Sequence, residues 1–206
     1  KIMFKTPFIL PLIYPSLTWK VNTNEKVIYL TFDDGPIPEV TEFVLKQLAV
    51  YNAKATFFCI GENVRRYPNI FEKVMNSEHS IGNHTFNHLN GWKTDNEVYL
   101  QNAALCQSEL EKHGVSTNLF RPPYGRIKFS QISEMTDHKL IMWDVLTKDY
   151  NQTVAKEKVL NKTLKYTEAG SIIVMHDSLK AFSSMRYALP IVLEEFSNRG
   201  YRFDKL

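Results

Sequence analysis

The chain has 206 residues, a length that fits one domain of ordinary size. Hydrophobic residues make up 44% and charged residues 23%, a balance that supports a buried core and excludes an intrinsically disordered chain. The net charge of +3 is small and evenly spread along the chain, so the composition does not indicate nucleic acid as a partner.

The first stretch, residues 1–26, is expected to pack on the main domain or to lead into it. Its apolar part is short, broken by Pro7 and Pro11, and lacks the small-residue cleavage site of a signal peptide. No run approaches the roughly 20 apolar residues of a membrane helix, so we expect no transmembrane segment. The chain starts at Lys1 rather than at a methionine, which is consistent with removal of upstream residues and leaves its localisation open.

Strand-like and helix-like segments alternate from residue 27 to the C-terminus. The strand candidates are short, apolar and bounded by Gly, Pro or Asn; they are 27–33, 55–61, 80–84, 119–121, 140–146, 171–176 and 201–204. The helix candidates between them are 38–51, 68–77, 95–113, 130–137, 154–167 and 186–199. This alternation predicts an α/β fold with a parallel sheet and outer helices, and about seven strand-helix units favour a barrel over an open sheet. Cys59 and Cys106 lie inside apolar or helical patterns and are expected to be buried thiols.

Two adjacent carboxylates, Asp33 and Asp34, end the first strand candidate in the motif TFDDGP, residues 31–36. Neighbouring side chains of a regular strand point to opposite faces, but a turn at the strand end can bring both toward one cavity. Turn chemistry is an equally good explanation for this motif on its own, because Asp is favoured in turns that precede Gly.

Two histidines, His84 and His88, stand four residues apart in the motif HTFNH. Side chains at this spacing meet on one face of a helical turn, an arrangement that metal sites use. A catalytic zinc site needs a third protein ligand, which one of the two aspartates would supply while the other remains free as a base. Two histidines and one carboxylate also hold iron in oxygen chemistry. That alternative is less favoured, because the remaining motifs form an acid-base set suited to hydrolysis.

The motif RPPYG, residues 121–125, follows a short strand candidate. Its prolines stiffen a loop that could hold the guanidinium of Arg121 and aim backbone N–H groups. Pro122 and Pro123 have no N–H, so Tyr124 supplies the first one available. Taken alone, this motif is better explained by a structural turn with a surface arginine.

Two later segments carry titratable groups at strand ends. Asp149 belongs to a Lys-Asp pair that leaves a strand, a weak signal because such pairs are usually solvated. His176 closes the very apolar strand 171–176, and strand alternation places Val174 on the same face. A small apolar pocket beside an imidazole would suit an acetyl group and its leaving nitrogen.

Together and in this order, the five motifs resemble the polysaccharide deacetylases that share the NodB homology domain, carbohydrate esterase family four. The resemblance covers residues 27–206 and implies a distorted, incomplete (β/α) barrel. It implies that Asp34, His84 and His88 bind one divalent ion, zinc before cobalt, manganese or nickel. It also implies that Asp33 is the general base.

The resemblance implies further roles for residues of the later motifs. Arg121 would orient Asp33, the Tyr124 N–H would help to form an oxyanion hole, and His176 would be the general acid with Asp149 as its carboxylate partner. The expected substrate contacts are Val174, Pro123 and Trp92. Tyr150 and Val174 stand where the family often has Trp and Leu, and we expect these changes to tune substrate fit rather than to abolish activity. Trp92 would stack on a sugar ring, or it would anchor its loop by packing.

The implied function is removal of N-acetyl groups from a polysaccharide that contains N-acetylglucosamine, such as chitin oligomers or peptidoglycan, by a monomer. A cell-wall substrate would place the protein in the cell envelope. The nearest alternative is an O-acetyl xylan esterase or a related non-peptide amide hydrolase with the same metal site. A sugar-binding module without catalysis is disfavoured because every matched catalytic position is present. A structural zinc protein is least favoured, because structural sites usually have four protein ligands.

Overall fold

A computed structural model describes residues 3–206 and contains one curled parallel sheet. Its strands are β1 Val27–Asp33, β2 Ala55–Cys59, β3 Ser80–Asn83, β4 Leu119–Phe120, β5 Lys139–Leu140, β6 Val145–Leu146, β7 Ile172–His176 and β8 Arg202–Phe203. The first seven run in the order β5-β4-β3-β2-β1-β7-β6, and β8 adds to β1. The helices are α1 Ile9–Ile13, α2 Val40–Val50, α3 Gly61–Arg66, α4 Pro68–Met75, α5 Asn96–Lys112, α6 Phe129–Glu134, α7 Lys156–Tyr166 and α8 Phe182–Asn198. The predicted incomplete barrel of about seven parallel strands is confirmed.

The two edge strands of the sheet, β5 and β6, come from one segment, residues 139–146. Leu140 pairs with β4 at one edge, whereas Leu146 pairs with β7 at the other. The prediction of one strand over 140–146 is therefore wrong. The segment crosses the opening of the barrel, so its middle residues leave one edge strand before its end joins the other.

The described part of the N-terminal stretch packs along this crossing segment. Backbone hydrogen bonds run from Leu146 N to Phe4 O, from Thr18 N to Leu140 O and from Met142 N to Thr18 O. Phe4, Leu17 and Trp19 are buried. Within the stretch 1–26, Lys1 and Ile2 lie outside the described residues.

The main core lies between the sheet and its covering helices. Strands β1 and β2 are buried along almost their whole length, as expected for a parallel sheet that is covered on both faces. Cys59 and Cys106 are buried free thiols, which confirms the expectation for both. Helix α3 was not predicted because its six residues are too few to show a helical period. Across residues 3–206, no helix has both the length and the apolar character that a bilayer span requires.

Candidate active site

The carboxyl ends of the parallel strands meet at one rim, which carries the polar residues of all five motifs. Asp33 ends β1 and is the register partner of His176, which ends β7. His84 directly follows β3, Arg121 directly follows β4, and Asp149 lies three residues after β6. This is the rim at which β/α barrels place their chemistry. A cavity of about 860 Å³ opens there, within the usual size range of ligand pockets.

Asp34, His84 and His88 lie together at the floor of this cavity, each with one ligand atom within 4.8 Å of the others. Asp34 Oδ1 is 3.3 Å from His88 Nε2 and 3.8 Å from His84 Nε2. This oxygen is buried and has no hydrogen-bond donor among residues 3–206. A buried carboxylate oxygen without a partner is unfavourable unless a cation neutralises it. The three side chains therefore fit a divalent metal ion with an open coordination position.

Both imidazole rings are held by their second nitrogen. His84 Nδ1 lies 2.7 Å from the carbonyl oxygen of Arg121, which can only accept, so the proton is on Nδ1 and the lone pair on Nε2. His88 Nδ1 lies 3.1 Å from the Tyr124 hydroxyl. Burial lowers the pKa of His84 below its usual range and that of His88 to about 4. Both rings are therefore neutral at neutral pH, the form that binds a metal.

The two histidines converge without a helical turn, so that part of the prediction is wrong. Residues 84–88 form an irregular loop in which Thr85 and His88 have positive φ angles of 62° and 57°. The Asn83 side chain accepts from Thr85 N at 2.9 Å, and Thr85 Oγ1 accepts from Leu89 N at 3.1 Å. These side-chain bonds to the backbone replace helical ones and still bring the ring centroids of His84 and His88 to 5.1 Å.

Left-handed backbone conformations are concentrated around this cavity. Among residues 3–206, eight non-glycine residues have positive φ, and five of them lie at or beside the site: Asp34, Thr85, His88, Tyr124 and Lys148. Such conformations cost on the order of 1 kcal/mol or more each and persist only where surrounding contacts enforce them. The surrounding contacts therefore hold the loops of the rim in these conformations and fix the positions of their side chains.

Asp33 is bound by a completely buried arginine. Arg121 Nη1 donates to Asp33 Oδ1 at 2.7 Å and to Thr31 Oγ1 at 2.6 Å, while Nε and Nη2 donate to the carbonyls of Ile141 and Met142. The alternative of a surface arginine is therefore wrong. Burial alone would raise the pKa of Asp33, but the Arg121 guanidinium, together with the neighbouring rings of His84 and His176, lowers it below its usual value. Asp33 is a carboxylate at neutral pH, held in one orientation.

His176 and Asp149 form a second charged pair, of which His176 lines the cavity. His176 Nδ1 is 2.8 Å from Asp149 Oδ1, and the backbone N–H of His176 donates to Asp149 Oδ2 at 2.8 Å. Burial alone would lower the pKa of His176, but the Asp149 charge and hydrogen bond, helped by Asp34 and Asp33, raise it to about 9. The ring is therefore an imidazolium at neutral pH, with Nε2 available as a proton donor.

This pair predicts a pH-dependent effect of Asp149→Asn. An acid must be protonated to act, so activity falls as pH rises through the pKa of His176. Without the Asp149 charge, burial dominates and the pKa drops, so the alkaline limb of the pH–rate profile will move to lower pH. We expect kcat to fall about 10²-fold at neutral pH. Steady-state kinetics across pH would measure both effects.

Three further variants control that measurement. His176→Ala should show a similar loss, and the double variant should be little worse than either single one, because the two residues act as a unit. Asp144, another buried acid of the crossing segment, binds Lys5 and Ser171 away from the cavity, so Asp144→Asn should affect stability alone. Losses that multiply in the double variant, or an unmoved alkaline limb in Asp149→Asn, would contradict the pairing.

Three residues with clear structural roles were missed by sequence reasoning. Asp177 accepts from Gly35 N at 3.0 Å and from Thr41 Oγ1 at 2.6 Å, which ties the turn after Asp33 to α2. A Cβ on Gly35 would lie 2.0 Å from Asp177 Oδ2, so only glycine allows this approach. Thr31 donates to Ile173 O while accepting from Arg121. Leu146 lies beside Val174 in register and shares the cavity wall with it; strand alternation could have revealed it.

The three predicted substrate contacts differ in their position relative to the cavity. Val174 is buried at the cavity wall, on the same face of β7 as His176. Trp92 also lines the cavity and is 52% exposed, stacked under Arg126 at 4.0 Å, with its Nε1 donating to Ile127 O. This exposure does not match a buried loop anchor. Pro123 is buried and lies outside the cavity lining, whereas the ring of Tyr124 reaches into it.

The position of Trp92 predicts a length-dependent effect on substrate binding. If its exposed face stacks on a sugar ring, Trp92→Ala will weaken binding of long oligomers more than short ones, by about three- to tenfold. Trp92→Phe keeps an aromatic face and should preserve most of the binding. Dissociation constants for a series of oligomer lengths would measure this. A lower melting temperature with unchanged kinetics on folded protein would support the packing role instead.

Comparison with known proteins gives consistent matches. The family model described as polysaccharide deacetylase matches residues 20–143. A peptidoglycan-N-acetylglucosamine deacetylase of Bacillus cereus is 35% identical over 191 residues, which cover 91% of this chain and 89% of that protein. A chitooligosaccharide deacetylase of Azorhizobium caulinodans is 34% identical over 163 residues, 77% of each chain. Some relatives are longer, and the chain spans 38% of the matching proteins from Listeria monocytogenes.

The fold is also similar to that of a solved structure. The crystal structure of the Bc1960 peptidoglycan N-acetylglucosamine deacetylase in complex with 4-naphthalen-1-yl-N-oxidanyl-benzamide matches with a TM-score of 0.89 and 31% sequence identity. The match covers 98% of this chain and 95% of that one. The similarity therefore includes the N-terminal stretch as well as the sheet.

Proposed function

The chain belongs to the polysaccharide deacetylase family, and we propose that it is a metal-dependent enzyme that hydrolyses N-acetyl groups of a glycan containing N-acetylglucosamine. The observation that carries the proposal is that the two adjacent aspartates have different partners. Asp33 is bound by Arg121, whereas Asp34 has an unpaired oxygen facing His84 and His88. One carboxylate is thus available as a base and the other as a ligand.

The ligands proposed for the divalent ion are Asp34 Oδ1, His84 Nε2 and His88 Nε2. Zinc is the favoured ion, since two imidazoles and one carboxylate suit it, and cobalt, manganese or nickel would fit the same donors. When bound, the ion supplies a Lewis acid that polarises a carbonyl oxygen and lowers the pKa of water. In each histidine the hydrogen bond of Nδ1 keeps the ligand atom Nε2 directed at the position of the ion.

In the proposed reaction Asp33 accepts a proton as a water oxygen attacks the acetyl carbonyl carbon. Arg121 keeps Asp33 charged and in position. The Tyr124 N–H has no acceptor within residues 3–206 and would donate to the developing oxyanion. The acetyl methyl would lie against Val174 and Leu146. When the C–N bond breaks, His176 would give its proton to the sugar nitrogen.

The proton held by His176 meets the requirement of an N-acetyl substrate. An amine cannot leave as its anion, so cleavage of an amide needs a donor that is protonated at neutral pH, and Asp149 keeps His176 in that form. All of these groups come from one chain, so we propose that the protein acts as a monomer.

Acetate release tests the proposed function. The zinc-loaded protein would be incubated with chitin oligomers, peptidoglycan fragments and acetylated xylan in parallel, and free acetate and new amino groups would be measured. We expect release from N-acetylated substrates and formation of one amine for each acetate. Release from acetylated xylan alone would identify an O-acetyl esterase. Binding of sugars without any release by metal-loaded protein would identify a binding module.

A further inference from the structure

The candidate metal ligands lie on two loops that are far apart in the sequence. Asp34 directly follows β1, whereas His84 and His88 lie in the loop after β3. A zinc ion needs donor atoms about 2 Å away from it, so the two loops must keep a fixed placement relative to each other. Asp34 Oδ1 has no hydrogen-bond partner among residues 3–206, so its position depends on the backbone that carries it.

Partners outside the loop hold the backbone on both sides of Asp34. The Asp33 carbonyl accepts from Asp177 N at 3.1 Å, and Gly35 N donates to Asp177 Oδ1 at 3.0 Å. Between them, the Asp34 carbonyl accepts from Asn63 Nδ2 at 2.7 Å. Asp34 has a φ of 84°, a left-handed conformation that is uncommon outside glycine and persists only where neighbouring contacts enforce it. Asn63 and Asp177 therefore hold both peptide groups that flank the candidate ligand.

Asn63 belongs to α3, and the start of this helix contacts both ligand loops. The Ile60 N–H, directly before α3, donates to the Gly35 carbonyl at 3.0 Å. The next two N–H groups, of residues 61–62, donate to the carbonyls of residues 85–86 in the histidine loop at 3.1 and 3.0 Å. The segment thus binds the aspartate loop through its two ends and the histidine loop through its middle. It therefore sets the distance between the two loops.

Among these four hydrogen bonds, the bond from Asn63 is the one that requires a particular side chain. The other three donors are backbone N–H groups, which every residue except proline provides. A Cβ on Gly61 would lie 2.5 Å from a ring carbon of Phe86, so α3 lies as close to the histidine loop as glycine allows. Asn63 is half-buried and lies outside the cavity lining, so a contact with the substrate does not explain its position.

We propose that Asn63 is a positioning residue for the divalent ion, because it holds Asp34 in the conformation that directs Oδ1 toward the two histidines. The inference rests on the proposed function for the identity of the ligands, and it adds a residue from outside the five motifs. Without this bond, the peptide group between Asp34 and Gly35 is held at its N–H end alone, and its tilting moves the carboxylate away from His84 and His88. The ion then has to order the loop as it binds, so its affinity falls.

Asn63→Leu tests this role, since leucine is similar in size, is a better helix former than asparagine and has no N–H to donate. The zinc dissociation constant, measured by competition with a chelator of known affinity, should rise about tenfold, as for other groups that orient metal ligands. Acetate release should fall at limiting zinc and return to within about twofold of wild type at saturating zinc. The melting temperature of the metal-free protein should stay within about 4 °C of wild type, because one half-exposed hydrogen bond is lost.

Asn69, an exposed asparagine of α4 outside the cavity, is the matched control, and Asn69→Leu should leave the zinc affinity unchanged. Asn63→Ala removes the same donor and should show the same loss of affinity if the leucine variant does not fold. Unchanged zinc affinity in a folded Asn63 variant, or an equal loss in Asn69→Leu, would overturn the role of Asn63 and leave the proposed function intact. Wild-type protein that binds zinc but releases no acetate would overturn the proposed function, and a tenfold weaker affinity in Asn63→Leu would still support the positioning role.

Discussion

Removal of the divalent ion will abolish acetate release, and zinc or cobalt will restore it. The reason is local: Asp34 Oδ1, His84 Nε2 and His88 Nε2 lie close together, and the carboxylate oxygen has no other partner among residues 3–206. Without a Lewis acid, an acetamide carbonyl is not polarised enough for attack at neutral pH. The measurement is activity after chelation and dialysis, with metal content determined by elemental analysis. Full activity in protein shown to be metal-free would refute the proposed chemistry.

A variant and its matched control separate metal loss from unfolding. His84→Ala removes one ligand and should lose both the ion and the activity. His113, which directly follows α5 and packs against Phe71, is a histidine outside the cavity, so His113→Ala should retain both. Circular dichroism of the two variants would show whether either loss reflects unfolding.

Asp33→Asn is expected to keep the metal but to lose about 10²–10⁴-fold in kcat, the usual contribution of a general base. The asparagine retains the size of the carboxylate but cannot accept a proton from water. It also leaves Arg121, which is completely buried, without its counter-charge, and breaking such a pair typically costs about 3–5 kcal/mol of stability. Turnover must therefore be measured at a temperature at which thermal unfolding shows the variant to be folded, with one metal per chain.

Asp34→Asn is the partner experiment, since the two aspartates are adjacent and similar in size. It should lose the metal together with the activity. Loss of metal in Asp33→Asn with retention in Asp34→Asn would mean that the two roles must be exchanged. Near-normal turnover in folded, metal-loaded Asp33→Asn would mean that another group is the base.

The candidate site could be located from the sequence because its polar residues end strands. Parallel strands bring their carboxyl ends to one rim, so Asp33, His84, Arg121 and His176 could be grouped without knowing any contact between them. The loop conformations and contacts around these residues could not be predicted in the same way. The four-residue spacing of His84 and His88 suggested a helical turn, whereas the loop is shaped by hydrogen bonds that the side chains of Asn83 and Thr85 accept from backbone N–H groups. Whether Arg121 is exposed or buried could likewise be determined only from its hydrogen-bond partners in the structure.

The α/β class, most of the strand-helix alternation and the rim that carries the chemistry followed from the sequence alone, because apolar periodicity and strand ends are local properties of the chain. The three-dimensional structure was needed to show how the barrel remains incomplete, how the N-terminal stretch packs along residues 139–146, and which side chains meet. Asp177 bonds to Gly35 across 142 positions, and Lys5 to Asp144 across 139. Such contacts depend on the register of strands and the path of loops, to which distant residues contribute together, and no local pattern encodes them.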